Sequence, residues 1–131
     1  MVHLATRDGN PLTSPDANWT SLFAAPGYPD EPSGYNCYTG GFWQSARYFF
    51  GTDKFAFSLT SPGVPANAAV GNPVGVPGST RNYTRFTGVI RDTIEGRILN
   101  GFHFRTPDVA GAWIGKKAAQ WLDKHYFQPV D

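Results

Sequence analysis

Apolar residues first repeat at helical spacing between Tyr35 and Phe50. Tyr38, Phe42, Ala46 and Phe49, joined by Trp43 and Phe50, recur three and four apart with no proline between them. This predicts a helix over 35–50 that is apolar almost all round. Gly40-Gly41 lowers its propensity by up to about 2 kcal/mol, so tertiary packing must hold it, and the missing side chains would admit a neighbouring backbone. Gly51-Thr52-Asp53 is expected to end it, and Phe55-Ala56-Phe57-Ser58-Leu59 then alternates like a short strand. A second helix is predicted downstream. Tyr83, Phe86, Val89, Ile90, Ile94 and Ile98 trace its apolar face, Arg81, Arg85, Arg91, Asp92 and Glu95 lie on the other side, and Gly101 stops it. The third helix has the clearest start: Thr106 suits the N-cap, Pro107 the first helical position and Asp108 the positive first turn. Ala110, Trp113, Ile114, Ala118, Trp121 and Leu122 mark its expected buried stripe, and Gly111 with Gly115 leaves a groove for close helix packing.

Two stretches break the pattern. Residues 1–34 are punctuated by Asn10-Pro11, Ser14-Pro15, Pro26-Gly27, Pro29-Asp30 and Pro32, which predicts an ordered loop region pegged down by Trp19, Leu22, Phe23 and Tyr28. Ser61 to Thr80 holds Pro62, Pro65, Pro73 and Pro77 among four glycines and reads as one long loop. The predicted fold class is all-α, or mainly α: a partial helical bundle of three principal helices with long Pro/Gly-rich loops. A chain of 131 residues is a single-domain length, so 1–131 is expected to form one unit.

Composition sharpens this picture. Aromatic residues make up 15% of the chain and charged residues 16%, against roughly 25% charged in ordinary globular proteins, which argues against intrinsic disorder. A net charge of +1 leaves no electrostatic footprint for nucleic acid. A lone Cys37 excludes an intramolecular disulfide framework or a multi-cysteine zinc site, and within the first helix it reads as a small buried hydrophobe. His3 and His125 have no partners at metal-ligand spacing. No segment approaches the roughly 20 apolar residues of a membrane span and no apolar leader follows Met1, so the chain reads as soluble, without a signal peptide, and cytoplasmic as it stands.

Two segments could carry chemistry. In Pro32-Ser33-Gly34-Tyr35 a proline-terminated loop delivers Ser33 and Gly34 to the start of the first helix. Unpaired backbone N–H groups there, with the Ser33 hydroxyl, would suit a phosphate-like oxyanion; the plainer reading is that Ser33 is an N-cap. In Arg97-Ile98-Leu99-Asn100-Gly101-Phe102-His103 a cation near a helix end is followed by a histidine just past a glycine. Six residues along an ideal helix turn through about 240°, so only a bend at Gly101 could bring Arg97 and His103 together. Arginine offers a planar fork of donors to phosphate oxygens, and histidine a nucleophile or a metal ligand.

Pro32-Ser33-Gly34, and Arg97 with Gly101 and His103 at spacings of four and six, resemble the second and third signature motifs of the type 2 phosphatidic acid phosphatase and vanadium-dependent haloperoxidase superfamily. The flanks Phe50-Gly51-Thr52-Asp53-Lys54, Gly101-Phe102-His103-Phe104-Arg105, and Gly115-Lys116-Lys117 through Trp121-Leu122-Asp123-Lys124-His125-Tyr126-Phe127 look like its bacterial haloperoxidase-related branch, and the likeness runs from about Asp8 to Val130. The resemblance implies an all-helical catalytic bundle, of which these residues match roughly the C-terminal half. It implies that His103 attacks phosphorus in a phosphatase or binds vanadate in a peroxidase, while Ser33, Gly34 and Arg97 hold the oxyanion. Vanadate is the one cofactor implied, and the small-molecule partners are a phosphate ester, or halide and peroxide.

The chain departs from the family pattern in three places. Tyr35 stands where the second motif ends in an acid/base histidine, and a phenol is a poor proton shuttle at neutral pH. Pro107 occupies the position of the aspartate that orients the histidine, with Asp108 one residue later as the candidate replacement. The first motif, a lysine followed by an Arg-Pro pair, is missing; Arg7 is the nearest cation and no proline follows it. Two alternatives stay open: a non-catalytic oligomeric scaffold, and a carboxyl-ester hydrolase using Ser33 as nucleophile, His103 as base and Asp108 as orienter. The apolar surplus on the first helix and in the aromatic loop predicts self-association.

Overall fold

The computed structural model describes residues 9–22, 27–61 and 78–126. The chain is mainly helical: α1 (Gly34–Phe50), β1 (Lys54–Thr60), β2 (Thr80–Arg85), α2 (Phe86–Leu99) and α3 (Arg105–His125) follow one another in sequence. Phe23 and most of the predicted 61–80 loop lie outside the described residues. The stem of that loop is closed by hydrogen bonds from Ser61 N–H to Ser79 carbonyl (2.8 Å) and from Gly78 N–H to Ser61 carbonyl (2.9 Å).

α1 starts and stops as expected. The Ser33 hydroxyl caps its first turn by accepting from Asn36 N–H, and Gly51, at φ 63°, turns the chain out at its end. Its packing against α3 is a backbone contact. A Cβ on Gly40 would lie 2.9 Å from the Ala112 Cα, one on Gly115 would overlap the Cys37 carbonyl and come within 2.6 Å of the Gly41 nitrogen, and one on Gly111 would overlap the Ser33 carbonyl. The glycines of both helices thus face each other across a spacing that no other residue permits.

That contact reverses the expected polarity of α3 and gives α1, expected to be apolar almost all round, a polar buried face. The stripe that α3 buries is Pro107, Asp108, Gly111, Ala112, Gly115 and Ala119, not the predicted one. Trp113 is 59% exposed and Trp121 53%, with Ile114, Ala118 and Leu122 also outside. On α1 the buried residues are Asn36, Thr39, Gly40 and Gln44, while Tyr38 is 71% exposed and Phe49 84%. The physical reason is reach. Two helices can touch through their backbones only where both present small residues, and the large side chains are then displaced to the outer faces. Cys37 is half-buried within this seam.

The second correction concerns residues 80–85, which are strand and not the first turns of a helix. β2 pairs antiparallel with β1, placing Tyr83 opposite Phe57 and Thr80 opposite Thr60, with an irregularity between Lys54 and Phe57. α2 begins at Phe86 because its cap comes from elsewhere in the chain. Asp53 accepts from Thr87 N–H (3.0 Å) and from the Thr87 hydroxyl (2.8 Å), and the Asp53 carbonyl takes Phe86 N–H (3.1 Å). Buried Phe86 is the centre of an aromatic cluster, its ring 5.3 to 5.8 Å from those of Trp43, Phe50, Phe55 and Phe57, which clamps the ribbon onto α1 and α2. The third helix also starts two residues earlier than expected: Phe104 is its N-cap, without a side-chain bond, and Thr106 and Pro107 lie inside the first turn, where a missing N–H costs nothing.

Gly115→Ala is expected to destabilise the fold by about 3 kcal/mol in denaturant unfolding, because backbone cannot step aside as a side chain can. Gly96, in α2, has open space where its Cβ would be, and Gly96→Ala should stabilise by about 0.5–1 kcal/mol. Burial pushes the Asp53 carboxyl up, but the two Thr87 bonds and the Arg47 and Arg85 guanidiniums outweigh it and hold the carboxyl below its ordinary 3.8. A depressed folded value means that this group stabilises the fold above about pH 4 and that the contribution is lost as pH falls below that. Asp53→Asn should therefore melt lower than the parent by about 1 kcal/mol at pH 7, with the gap closing on acidification.

Candidate functional site

The turn between α2 and α3 carries the predicted histidine, and Gly101 makes the turn. At φ 76° it lets Gly101 N–H reach the Ile98 carbonyl (2.9 Å) and Phe102 N–H reach the Arg97 carbonyl (3.0 Å), folding the chain back over the last turn of α2. His103 consequently lies on Arg97, as a bend there would require. The Arg97 Nη2 donates to His103 Nε2 at 2.7 Å and to the Tyr28 hydroxyl at 2.9 Å. The guanidinium carbon is 5.0 Å from the centre of the Tyr35 ring and 5.2 Å from that of Phe102, so the cation is walled by aromatic faces. Its buried Nε has no hydrogen-bond partner among the described residues.

The His103 side chain is only 2% exposed, and its other nitrogen, Nδ1, hydrogen-bonds the Asp30 carboxylate. Tyr28 stacks beside the imidazole at 6.1 Å between ring centres. Both residues come from the loop ahead of α1, which is docked by Ser33 N–H on the Pro107 carbonyl (3.1 Å) and by Leu22 N–H on the Asn100 carbonyl (3.1 Å). Trp19 from the same region would lie 2.8 Å from a Cβ on Gly101, so the peg expected there is present.

The remaining predicted residues fall at different distances from this cluster. Ser33 is fully buried, and its hydroxyl accepts from Asn36 N–H (3.5 Å) and Asn36 Nδ2 (3.2 Å), so the cap reading of this residue holds. Gly34 begins α1 and is exposed, with the first N–H groups of that helix lacking intrahelical partners. Asp108 is fully buried, but its carboxylate oxygens make no hydrogen bond, and Asp30 occupies the His103 nitrogen that Asp108 was expected to hold. The Ser33, His103, Asp108 relay is accordingly not assembled, since both imidazole nitrogens are engaged, by Asp30 and by Arg97. Among the described residues no group of three His, Cys, Asp or Glu side chains is placed for a metal ion, and no helix is long and apolar enough to cross a membrane. His125 bonds the Trp121 carbonyl (2.7 Å) at the surface, and His3 lies outside the described residues.

The sequence model of the VCPO second helical-bundle domain matches residues 3–131. The chain belongs to this family. Membership places it in the haloperoxidase-related superfamily that its two motifs resemble. Two solved structures are similar to it. The apo-type bacterial vanadium-dependent chloroperoxidase aligns with a TM-score of 0.62 and 21% identity over 81% of this chain and 23% of that one. The holo-type enzyme gives 0.60 and 21% over 82% and 24%. The chain thus spans about a quarter of the length of those chloroperoxidases, and at this identity the likeness is one of fold. No curated protein matches it.

Within this second-bundle domain two contacts hold the histidine turn at its outer end. Arg105, at the start of α3, donates through both terminal nitrogens to Glu95 near the end of α2 (2.5 and 2.9 Å). These bonds keep the Glu95 carboxyl below its usual range. Asp30 and Tyr28 are the site residues that the sequence reading passed over, taking Pro29-Asp30 only as a turn. The available signal was indirect: with proline in the family's aspartate position, His103 had to find its carboxylate on another segment. Gly101→Ala combines a left-handed backbone with a clash on Trp19 and is expected to cost about 2 kcal/mol or more in thermal unfolding.

Proposed function

We propose that this domain carries an oxyanion site of the phosphatase and haloperoxidase type, centred on Arg97 and His103. The observation that carries the reading is the 2.7 Å approach of the Arg97 Nη2 to His103 Nε2, beside a buried Arg97 Nε with no acceptor among the described residues. An anion entering between the two side chains would exchange one N–H···N bond for charge-assisted bonds to oxygen, and would give the orphaned donor a partner. The guanidinium, fixed by the Tyr28 hydroxyl and by the Tyr35 and Phe102 rings, cannot swing far from that position.

For a phosphate ester, His103 Nε2 would attack phosphorus and expel the alcohol, and water would then release phosphate from the histidine. Arg97 would neutralise charge on the oxygens throughout. The N–H groups at the start of α1, that of Gly34 among them, are the further candidate donors, together with the Ser33 hydroxyl, whose oxygen accepts from Asn36 and whose proton is left to donate. Tyr35 lies at the guanidinium as a candidate proton donor to the leaving group. The same donor set fits vanadate, which Arg97 and His103 would hold and which, when bound, supplies peroxide activation for halide oxidation. The small-molecule partners are then a phosphate ester, or halide and peroxide.

The second reading, a non-catalytic oligomeric scaffold, is favoured by the outward aromatic faces of α1 and α3, where Tyr38, Phe42, Phe49, Trp113 and Trp121 are all more than half exposed. Self-association would bury them. Titration with orthovanadate and with inorganic phosphate, followed by vanadium NMR and calorimetry, separates the two. Saturable binding that falls at least about tenfold in Arg97→Ala and His103→Ala is expected. Turnover of an aryl phosphate, or of bromide with vanadate and peroxide, should be lost in His103→Ala. No binding of either anion, together with an oligomer in light scattering, would leave the scaffold.

A further inference from the structure

The histidine of this site is held by a carboxylate from outside the motif that contains it. His103 touches one group at each nitrogen: Asp30 at Nδ1 and Arg97 at Nε2. A guanidinium has five donors and no acceptor, so the contact at Nε2 requires a lone pair on the histidine. A proton at Nε2 would set two N–H donors against each other at 2.7 Å. The ring proton therefore sits on Nδ1, where the Asp30 carboxylate, an acceptor at both oxygens, receives it.

Neutral imidazole in water prefers the opposite tautomer, with its proton on Nε2, and that form can neither attack nor ligate through Nε2. We propose that Asp30 is the positioning residue of His103: it holds the imidazole in the Nδ1–H form and aims the Nε2 lone pair at Arg97. The inference deepens the oxyanion reading and rests on it for its purpose, but the tautomer itself can be measured without any ligand. The surroundings favour such a role. The imidazole is 2% exposed while the Asp30 side chain is 33% exposed, so the carboxylate stays partly hydrated and the ring it orients does not. Tyr28, two residues earlier, stacks on the imidazole and anchors Arg97, so a single loop constrains both partners. Pro107 removes the carboxylate one helical turn past His103, and Asp108 makes no hydrogen bond to the ring, so Asp30 is the carboxylate bonded to it.

Long-range proton–nitrogen NMR on the ligand-free chain at neutral pH tests this directly. The His103 spectrum is expected to show a protonated Nδ1 and an unprotonated Nε2 in the parent chain and in Asp30→Glu. Asp30→Ala should shift at least about half of the population to the Nε2–H form, with a backbone spectrum otherwise unchanged. It should also weaken orthovanadate binding about 10- to 100-fold, the usual effect of losing the group that orients a ligating histidine. An Nε2–H tautomer in the parent chain, which needs no variant to observe, would overturn the proposal, as would an unchanged tautomer in Asp30→Ala. A parent chain with the Nδ1–H form that fails to bind vanadate or phosphate would refute the oxyanion reading and leave the role of Asp30 standing.

Discussion

The backbone contact between α1 and α3 is the constraint from which the rest of the structure follows. Gly41 on one helix meets Gly115 on the other, Gly40 meets Ala112 and Gly111 meets Ser33 and Cys37, and each would-be Cβ at Gly40, Gly111 or Gly115 falls on the opposite main chain. Helices this close leave no room for side chains of ordinary size in the seam. The buried residues there are consequently small or polar, and the aromatic side chains stand outside. The contact also sets where the loop ahead of α1 can lie. Ser33 donates to the Pro107 carbonyl at the start of α3, so the segment from Tyr28 to Ser33 is laid against the histidine turn. Loosening the seam would move Asp30 away from His103 without touching either residue.

The polar interior is the consequence for stability. Asn36, Asp108 and Ser33 are the largest fully buried side chains, whereas the buried hydrophobic residues are Phe86, Val89, Ile90, Ala112 and Ala119. A core with so few apolar groups draws on directed interactions instead: the Asp53 cap of α2, the Arg105–Glu95 pair across the turn and the ring cluster around Phe86. Of these, the Arg105–Glu95 pair bridges the turn that carries Arg97 and His103. The buried groups without a hydrogen-bond partner among the described residues are the Asp108 oxygens, Arg97 Nε, Asn36 Oδ1 and Arg47 Nε.

Helix existence was legible because period, capping residues and breakers agreed. Ser33 before α1, Gly51 after it and Gly101 after α2 act locally, and local rules describe them. The small surfaces at Gly40-Gly41 and at Gly111 and Gly115 were legible for the same reason, but not that they pack on each other. The faces were not. Periodicity locates an apolar stripe but says nothing of which stripe meets a partner, and for α3 the aromatic stripe at Trp113 and Trp121 lost to the small one at Gly111 and Gly115. The start of α2 was misplaced because Tyr83 fits the helical repeat as well as a strand, and the group that decides between them, Asp53, is 34 residues from its partner Thr87.

The sequence by itself determined the helical class, the family motifs and the condition for Arg97 to meet His103, a bend at a single glycine. These depend on residues a few positions apart, whose conformational limits do not need the rest of the chain. Only the tertiary structure decided which carboxylate meets the imidazole. Asp30 and His103 are 73 residues apart and lie in elements brought together by the α1–α3 seam, and no local rule ranks Asp30 above Asp108. Contacts of that length are set by which helix faces approach closely enough to touch, and here backbone-to-backbone packing made that choice.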